Sequence, residues 1–215
     1  MAKELENFRA EREVYDFIYG KLDLEDFVPI IRDNVLNINV EDYVFYDLTF
    51  ENVIDILDDE LIRNINSPNE NFLSAACAAG KITIMASLMY NFGNFFGLDN
   101  IYEMYLLAKN ALNKALTEDE KIITKFNGKK IAFFLKEALF VEFSEYKLLT
   151  VDHNNSNRTY NQMLQGKIER EVKPGAIVVK IFDNFEASQS LRFKKAKTLK
   201  NKYNKNFMVF YYEKK

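Results

Sequence analysis

The sequence predicts an α/β protein whose central sheet is mostly parallel and covered by helices on both faces. Apolar runs of strand length alternate with helical segments between residues 71 and 182, and the connections between them are short, which is typical of such a sheet. The run from Ala176 to Phe182 is apolar and β-branched almost throughout, as interior parallel strands are. A run of small residues from Ser74 to Gly80 lies between a strand-like run and a helical segment, and it predicts a tight turn there.

The composition fits one domain with a small appendage. The 215 residues are too few for two ordinary domains, and the apolar fraction of 48% is enough for a sizeable core. We expect a helical N-terminal extension over residues 1–48 and an α/β domain over residues 49–215. The net charge of −3 gives no general attraction to nucleic acid, but it does not exclude a local basic patch.

The single cysteine and the single histidine argue against two classes of site. Cys77 cannot form an intrachain disulfide, and together with His153 it is too small a ligand set for a structural zinc ion. The N-terminus is charged where a signal peptide is apolar, and Lys81 interrupts the longest apolar stretch. We therefore expect a cytoplasmic protein without a membrane span.

Helical signals dominate the first 70 residues. Apolar residues at three- and four-residue spacing predict a first helix between Phe8 and Ile18, and Asp23 caps a second that runs through Val35. Thr49 is a plausible cap for a third helix, which we expect to reach Ile62 before the Ser-Pro-Asn sequence at 67–69 stops it.

From residue 71 onward strands and helices alternate. We expect strands at 71–76, 94–98, 131–135, 146–151, 176–182 and 207–212, and helices at 82–90, 101–116 and 158–172. The basic segment 192–202 reads as a helix or a strand, followed by a turn and an antiparallel closing strand. Counted as a strand, it brings the sheet to seven strands.

Polar and small residues follow the predicted strands where an open α/β sheet binds its ligands, at the strands' carboxyl ends. Asp99 follows the second strand, nineteen residues after Gly80, which is the spacing at which a carboxylate accepts from both hydroxyls of a ribose. Glu137 follows the third strand and is a candidate for an adenine contact. Asp152, His153 and Asn154 follow the fourth, where a carboxylate can orient or deprotonate an acceptor.

Three segments resemble the motifs of class I S-adenosylmethionine (SAM) methyltransferases. FLSAACAAGKI is similar to their first motif, FFGLD to their second, and VKPGAIVVKIF to their post-catalytic strand. The resemblance implies a Rossmann-like, mostly parallel seven-stranded sheet and SAM as cofactor. It also implies a set of cofactor-binding residues: Asp47, Thr49, Ser74, Ala76, Cys77, Ala78, Gly80, Asp99 and Glu137.

Within that class the chain looks most like the non-SET histone-lysine methyltransferases of the disruptor-of-telomeric-silencing type. The similarity extends from about Phe45 to Phe182, through FYDLTFENVIDILDDEL, NGKKIAFFLKEALF and YKLLTVDHNN. The chain departs from the class pattern where Ser74 replaces an acid and where Ala76 and Ala78 replace glycines.

A weaker resemblance connects the acceptor side to the ribosomal-RNA-type 2′-O-methyltransferases, which use two lysines, an aspartate and a glutamate. Asp152 and Lys180 match two of these four. Since a buried lysine needs a partner, we expect Lys180 to pair with Asp152, either as a structural ion pair or in catalysis. The catalytic candidates are therefore Asp152, His153, Asn154 and Lys180.

Three functions stay open. The first is SAM-dependent methyl transfer to a macromolecular acceptor, either a protein lysine or a nucleic acid. The second is a catalytically silent protein of the same fold that acts as a binding or regulatory subunit. The third is RNA binding by the basic stretch from Arg192 to Lys205.

Overall fold

The computed structural model describes residues 6–21, 48–152 and 158–215. After a 3-10 turn at Glu6–Phe8 it contains these helices: α1 Arg9–Tyr19, α2 Phe50–Leu57, α3 Glu60–Arg63, α4 Lys81–Met89, α5 Tyr102–Thr117, α6 Glu120–Lys125 and α7 Arg158–Glu171. Its strands are β1 Asn71–Ala75, β2 Asn94–Asp99, β3 Ile131–Leu135, β4 Tyr146–Asp152, β5 Ile177–Ile181, β6 Leu191–Lys200 and β7 Asn206–Lys214.

The strands form one sheet of seven strands in the order β3-β2-β1-β4-β5-β7-β6. The first five in this order run parallel, and β7 and β6 are antiparallel to their neighbours. The carboxyl ends of β1 to β5 therefore lie along one side of the sheet, which we call the carboxyl edge. The predicted seven-stranded, mostly parallel sheet is confirmed, and the segment 192–202 is a strand.

The helix predicted over residues 50–62 is wrong in one respect, because it is two helices. α2 starts with a capping box between Thr49 and Asn52 and ends at Leu57. Asp59 then caps α3 by accepting from the amide of Leu61, and its carboxylate also binds Lys195 and Lys197 of β6 at 2.7 and 3.0 Å. The break turns this carboxylate, whose side chain is 1% exposed, toward the two lysines.

Two hydrophobic clusters cover the two faces of the sheet. The first packs α1, α2, α4 and α5 against residues such as Phe72, Phe95 and Val179, and we call this side the α4 face. The second packs α7 and the 3-10 turn Ala138–Phe140 against residues such as Leu149 and Val178, and this side is the α7 face. The alternation of the strands explains the division, since neighbouring residues of a strand point to opposite faces.

The N-terminal helix α1 belongs to the same hydrophobic cluster as the sheet. Val14, Ile18 and Tyr19 are buried in it. The division into an extension of 1–48 and a domain of 49–215 stays a prediction, and the predicted helix at 23–35 lies outside the described residues. Among those that are described, no helix is long and apolar enough to cross a membrane.

Candidate active site at the carboxyl edge

The loop between β1 and α4 has the backbone of a glycine loop although it is mostly alanine. Ala76 and Ala78 adopt φ values of 55° and 46°, and Gly80 adopts 78°. Positive φ is natural for glycine, whereas an alanine there costs on the order of 1 kcal/mol because its Cβ approaches the following carbonyl. The predicted strand-to-helix turn is present, and the two alanines strain it.

Gly80 lies in a space that admits no side chain. A Cβ at this position would be 2.6 Å from Cζ of Phe133 and 3.1 Å from Cβ of Ala108. The same Phe133 ring lies 2.5 Å from where a Cβ of Gly97 would be. Phe133 thus fills the space that two glycines leave on the α4 face. Sequence reasoning missed this residue, because its contact with Gly97 depends on the pairing of β2 with β3.

Asp99 ends β2 as predicted, but its carboxylate is closed to solvent. The residue is 3% exposed; one oxygen accepts from the amide of Ala78 at 2.9 Å and the other from the amide of Ile101 at 2.9 Å. The pKa of Asp99 is raised to about 6, chiefly because the carboxyl is buried; the backbone amides oppose the rise, and the nearby charge of Glu137 adds to it. Asp99, the residue predicted to bind a ribose, therefore also holds the alanine loop through its hydrogen bond with the amide of Ala78.

Glu137 follows β3 as predicted and lies in a small polar network. Its carboxylate accepts from the side chain of Asn100 at 2.7 Å, from the hydroxyl of Tyr160 on α7 and from the amide of Leu139. Asn100 directly follows Asp99, so the ends of β2 and β3 are joined by this network. Tyr160 was not predicted, because no local pattern shows that α7 brings it to the end of β3.

Ser74 in β1 and Cys77 in the loop that follows are both buried. The hydroxyl of Ser74 is buried and has no hydrogen-bond partner among the described residues, and the same holds for Thr150, its register neighbour on β4. Burial raises the pKa of the Cys77 thiol well above its usual range, so the thiol is neutral and packs as an apolar group.

The N-terminal helix supports the loop from the α4 face. The hydroxyl of Tyr19 donates to the carbonyl of Ala79 at 3.1 Å. The hydroxyl of Tyr15 and the ammonium of Lys81 both donate to the carbonyl of Leu48, at 2.7 and 3.0 Å. The Lys81 ammonium also lies 5.5 Å from the ring centroids of both tyrosines. α1, the start of α4 and the residue before Thr49 are thus joined beside the loop.

Two cofactor candidates upstream have different outcomes. The hydroxyl of Thr49 accepts from the amide of Asn52 at 3.3 Å, so it caps α2. The ammonium of Lys81 donates to the carbonyl of Leu48, so the chain just before Thr49 lies close to the start of α4. Asp47 lies outside the described residues, and its predicted role stays a prediction.

Lys180 on β5 and Asp152 at the end of β4 lie in the part of the carboxyl edge where the sequence predicts the acceptor, and we call this part the acceptor side. Lys180 is 1% exposed, and its ammonium forms an ion pair at 2.5 Å with Asp183, two residues after β5. Burial lowers the pKa of Lys180, while the charges of Asp183 and Asp152 oppose that shift. The expected pairing with Asp152 therefore describes only part of the surroundings of Lys180: the charge of Asp152 acts on the ammonium, but Asp183 also forms a close ion pair with it. Asp152 ends β4 and is half-buried, whereas His153 and Asn154 lie outside the described residues.

A groove of about 580 Å³ opens elsewhere, on the α7 face between the segment 184–188 and the strands β6 and β7. Its floor includes Phe193 and Tyr212, whose rings are 5.9 Å apart. Of the cofactor-binding and catalytic candidates that the structure describes, none lines it.

No protein-family model matches the chain, and no curated protein matches it either. Solved structures do. The magnesium protoporphyrin IX methyltransferase from Synechocystis PCC 6803, with bound S-adenosylhomocysteine (SAH), has a TM-score of 0.59 at 10% identity, covering 93% of this chain and 96% of that one. The RNA methyltransferase from Salinibacter ruber in complex with SAH has a TM-score of 0.55 at 15% identity, covering 77% and 92%.

A putative methyltransferase from Streptococcus mutans in complex with SAH is similar as well, with a TM-score of 0.51 at 11% identity over 73% of this chain and 96% of that one. This chain has a Rossmann-like methyltransferase fold. Sequence identities this low show a shared fold and nothing finer. These structures give no support to the resemblance to histone-lysine methyltransferases.

Proposed function

We propose that the protein is a SAM-dependent methyltransferase that binds its cofactor at the carboxyl ends of β1, β2 and β3. The loop 76–80 carries this proposal, because it keeps the positive φ values of a glycine loop at a strain of about 1 kcal/mol for each alanine. A tight turn alone does not require alanines at positive φ, so we take the strained backbone of this loop as support for a binding role. Strain of this kind is typical of functional sites.

The residues present fit a SAM molecule on two counts. The loop backbone follows a path that lets a ligand approach closely, and Gly80 keeps that path because the Phe133 ring excludes a Cβ. Acids follow β2 and β3, where Asp99 would accept from the ribose hydroxyls and Glu137 would contact the adenine. The fit has one condition: since Asp99 is 3% exposed, the amide of Ala78 has to release its carboxylate before a ribose can reach it.

The acceptor side supplies the groups that methyl transfer needs. SAM, when bound, supplies a methyl group on a positively charged sulfur. Asp152 at the end of β4 would orient the acceptor and accept its proton. Lys180, held by Asp183, adds a positive charge close to Asp152. Orientation of the acceptor at this edge would contribute much of the rate.

Isothermal titration with SAM, SAH and ATP tests the cofactor proposal. We expect micromolar affinity for SAM and SAH and weaker binding of ATP, which shares the adenosine but has no methionine. Equal affinity for all three would indicate a general adenosine site, and a flat response to all three would refute cofactor binding.

The closed carboxylate of Asp99 favours a second candidate, a catalytically silent protein of the same fold. The amide of Ala78 occupies one oxygen of Asp99, and the methyl groups of Ala76 and Ala78 lie in the loop where the class has glycines. In that case SAH raises the melting temperature of neither the wild type nor an Ala76→Gly, Ala78→Gly double variant. If the double variant alone binds, the alanines are what silences the site.

A further inference from the structure

The basic stretch from Arg192 to Lys205 divides into two parts of different surroundings. Its first part, on β6, faces acids: Lys195 and Lys197 bind Asp59, while Lys194 binds Glu213 at 3.1 Å. Arg192 is also 3.9 Å from Glu213. This part holds β6 against α3 and β7, so its lysines have a structural role.

The second part is the hairpin tip, residues 200–205, which joins β6 to β7. Lys200, Lys202 and Lys205 are all exposed there, in a protein whose net charge is −3. Tyr203 is 41% exposed, and the ammonium of Lys202 lies 5.0 Å from its ring centroid. Three cations and an aromatic ring are thus presented to solvent within six residues.

The tip has a defined conformation. The side-chain oxygen of Asn201, a buried residue, accepts from the amides of Tyr203 and Lys205 at 3.0 and 2.9 Å. Asn204 has a φ of 61°, which closes the turn, and its side chain accepts from Lys200 at 3.0 Å. A turn held in this way presents the ring at a low entropic cost of binding.

The tip lies on the acceptor side of the carboxyl edge. The side chain of Asn52, in the first turn of α2, donates to the carbonyl of Lys200 at 2.8 Å. On the other side, the amide of Phe182, which follows β5, donates to the carbonyl of Met208 at 2.8 Å. The hairpin tip therefore lies between the first turn of α2, where β6 ends, and the end of β5, the strand that carries Lys180, where β7 begins.

We propose that the hairpin tip binds a single-stranded nucleic acid and guides it to the acceptor side. Lysines neutralise backbone phosphates, and an exposed aromatic ring stacks an unpaired base, which is the combination that single-strand binding uses. A base in a duplex is already stacked, so the ring favours a single strand. The role as acceptor rests on the proposed methyl transfer, whereas the binding itself does not.

Fluorescence anisotropy with labelled oligo(U), oligo(dT) and poly-glutamate tests this inference in the absence of SAM. The variant Lys200→Glu, Lys202→Glu, Lys205→Glu should lower oligo(U) affinity at least tenfold and reduce the slope of log K against log salt by about 2. The matched control Lys109→Glu, Lys121→Glu, Lys130→Glu changes the charge equally at three exposed lysines on and after α5 and α6, and should have a much smaller effect.

A second pair of variants isolates stacking. Tyr203→Ala should weaken oligo(U) binding about tenfold, whereas Phe193→Ala, which removes a 54% exposed ring at the other end of the hairpin, should change it less than twofold. Comparing oligo(U) with oligo(dT) shows whether the strand is RNA or DNA.

Three outcomes would overturn the inference: no binding by the wild type, equal losses in both triple variants, or poly-glutamate binding as tightly as oligo(U) with no effect of Tyr203→Ala. If SAM titration is flat but oligonucleotide binding depends on the tip, the methyl-transfer proposal fails while the nucleic-acid surface stands.

Discussion

The carboxyl edge has a proposed cofactor half, at the ends of β1 to β3, and a proposed acceptor half, at the ends of β4 and β5, and the two halves stabilise buried charge in different ways. In the cofactor half, Asp99 has backbone amides as its partners, donated by Ala78 and Ile101. In the acceptor half, Lys180 has a charged side chain, Asp183, at 2.5 Å. A side-chain substitution does not remove a backbone amide. In an ion pair, by contrast, substitution of one member leaves the charge of the other without its close partner. The cofactor half should therefore respond to changes of backbone and of pH, and the acceptor half to the loss of one charge.

The largest effect is expected from the backbone of the cofactor half. Gly80→Ala should lower the free energy of unfolding by about 4 kcal/mol, since the new Cβ both strains a φ of 78° and meets the Phe133 ring. Gly128 has the same φ but nothing within 4 Å, so Gly128→Ala should lower it by only about 1 kcal/mol. Urea denaturation measures both, and equal losses would show that Phe133 moves aside freely.

In the acceptor half, the two members of the ion pair should differ in their effect. Asp183→Ala should lower the free energy of unfolding by about 3 kcal/mol, because it removes the close ion-pair partner of the buried Lys180 ammonium. Lys180→Met should change it by less than about 1 kcal/mol, because it removes the buried charge itself. The same denaturation assay applies. Adding Asp183→Ala to Lys180→Met should then have little further effect, and a full additive loss would mean that Asp183 acts through other contacts.

A smaller effect, dependent on pH, is expected from Asp99. Its pKa is raised to about 6 from an ordinary 3.8, so the folded protein holds a proton that the unfolded chain releases between these values. The contribution of Asp99 to the free energy of unfolding should thus fall as the pH rises from 4 to 6. Asp99→Asn removes this contribution and leaves those of the other carboxyls in place, so the difference between the two proteins isolates it. The advantage of the variant over the wild type should grow by about 2 kcal/mol between pH 4 and pH 7. A constant difference in urea denaturation would mean that Asp99 is ionised throughout.

The smallest change in stability is expected from Ala78→Gly. Relief of the strained φ of 46° gains on the order of 1 kcal/mol, and the greater freedom of glycine in the unfolded chain cancels most of it. If SAM binds here, its affinity should rise several-fold by titration, because the methyl group is gone. Ala79→Gly is the neighbouring control, a buried alanine outside the positive-φ set, and it should destabilise the protein without improving binding.

The strands could be predicted from the sequence because each is decided locally. The run Ile177–Ile181 is apolar enough to be an interior strand wherever it lies, and Asp99 follows its strand at a spacing that can be counted. Asp183 was missed as the partner of Lys180, because the sequence shows which strand ends lie together but not which loop turns back over them. Phe133 and Tyr160 depend in the same way on register and on the placement of α7.

The hydrogen bond from Tyr19 to the carbonyl of Ala79 spans 60 residues, and this separation matters during synthesis. The ribosome makes α1 well before the loop that it supports, so Val14, Ile18 and Tyr19 have no core to pack on until β1 and α4 follow. A helix of 11 residues is marginal by itself in water. The nascent chain therefore exposes these apolar side chains for several seconds at ordinary rates of translation.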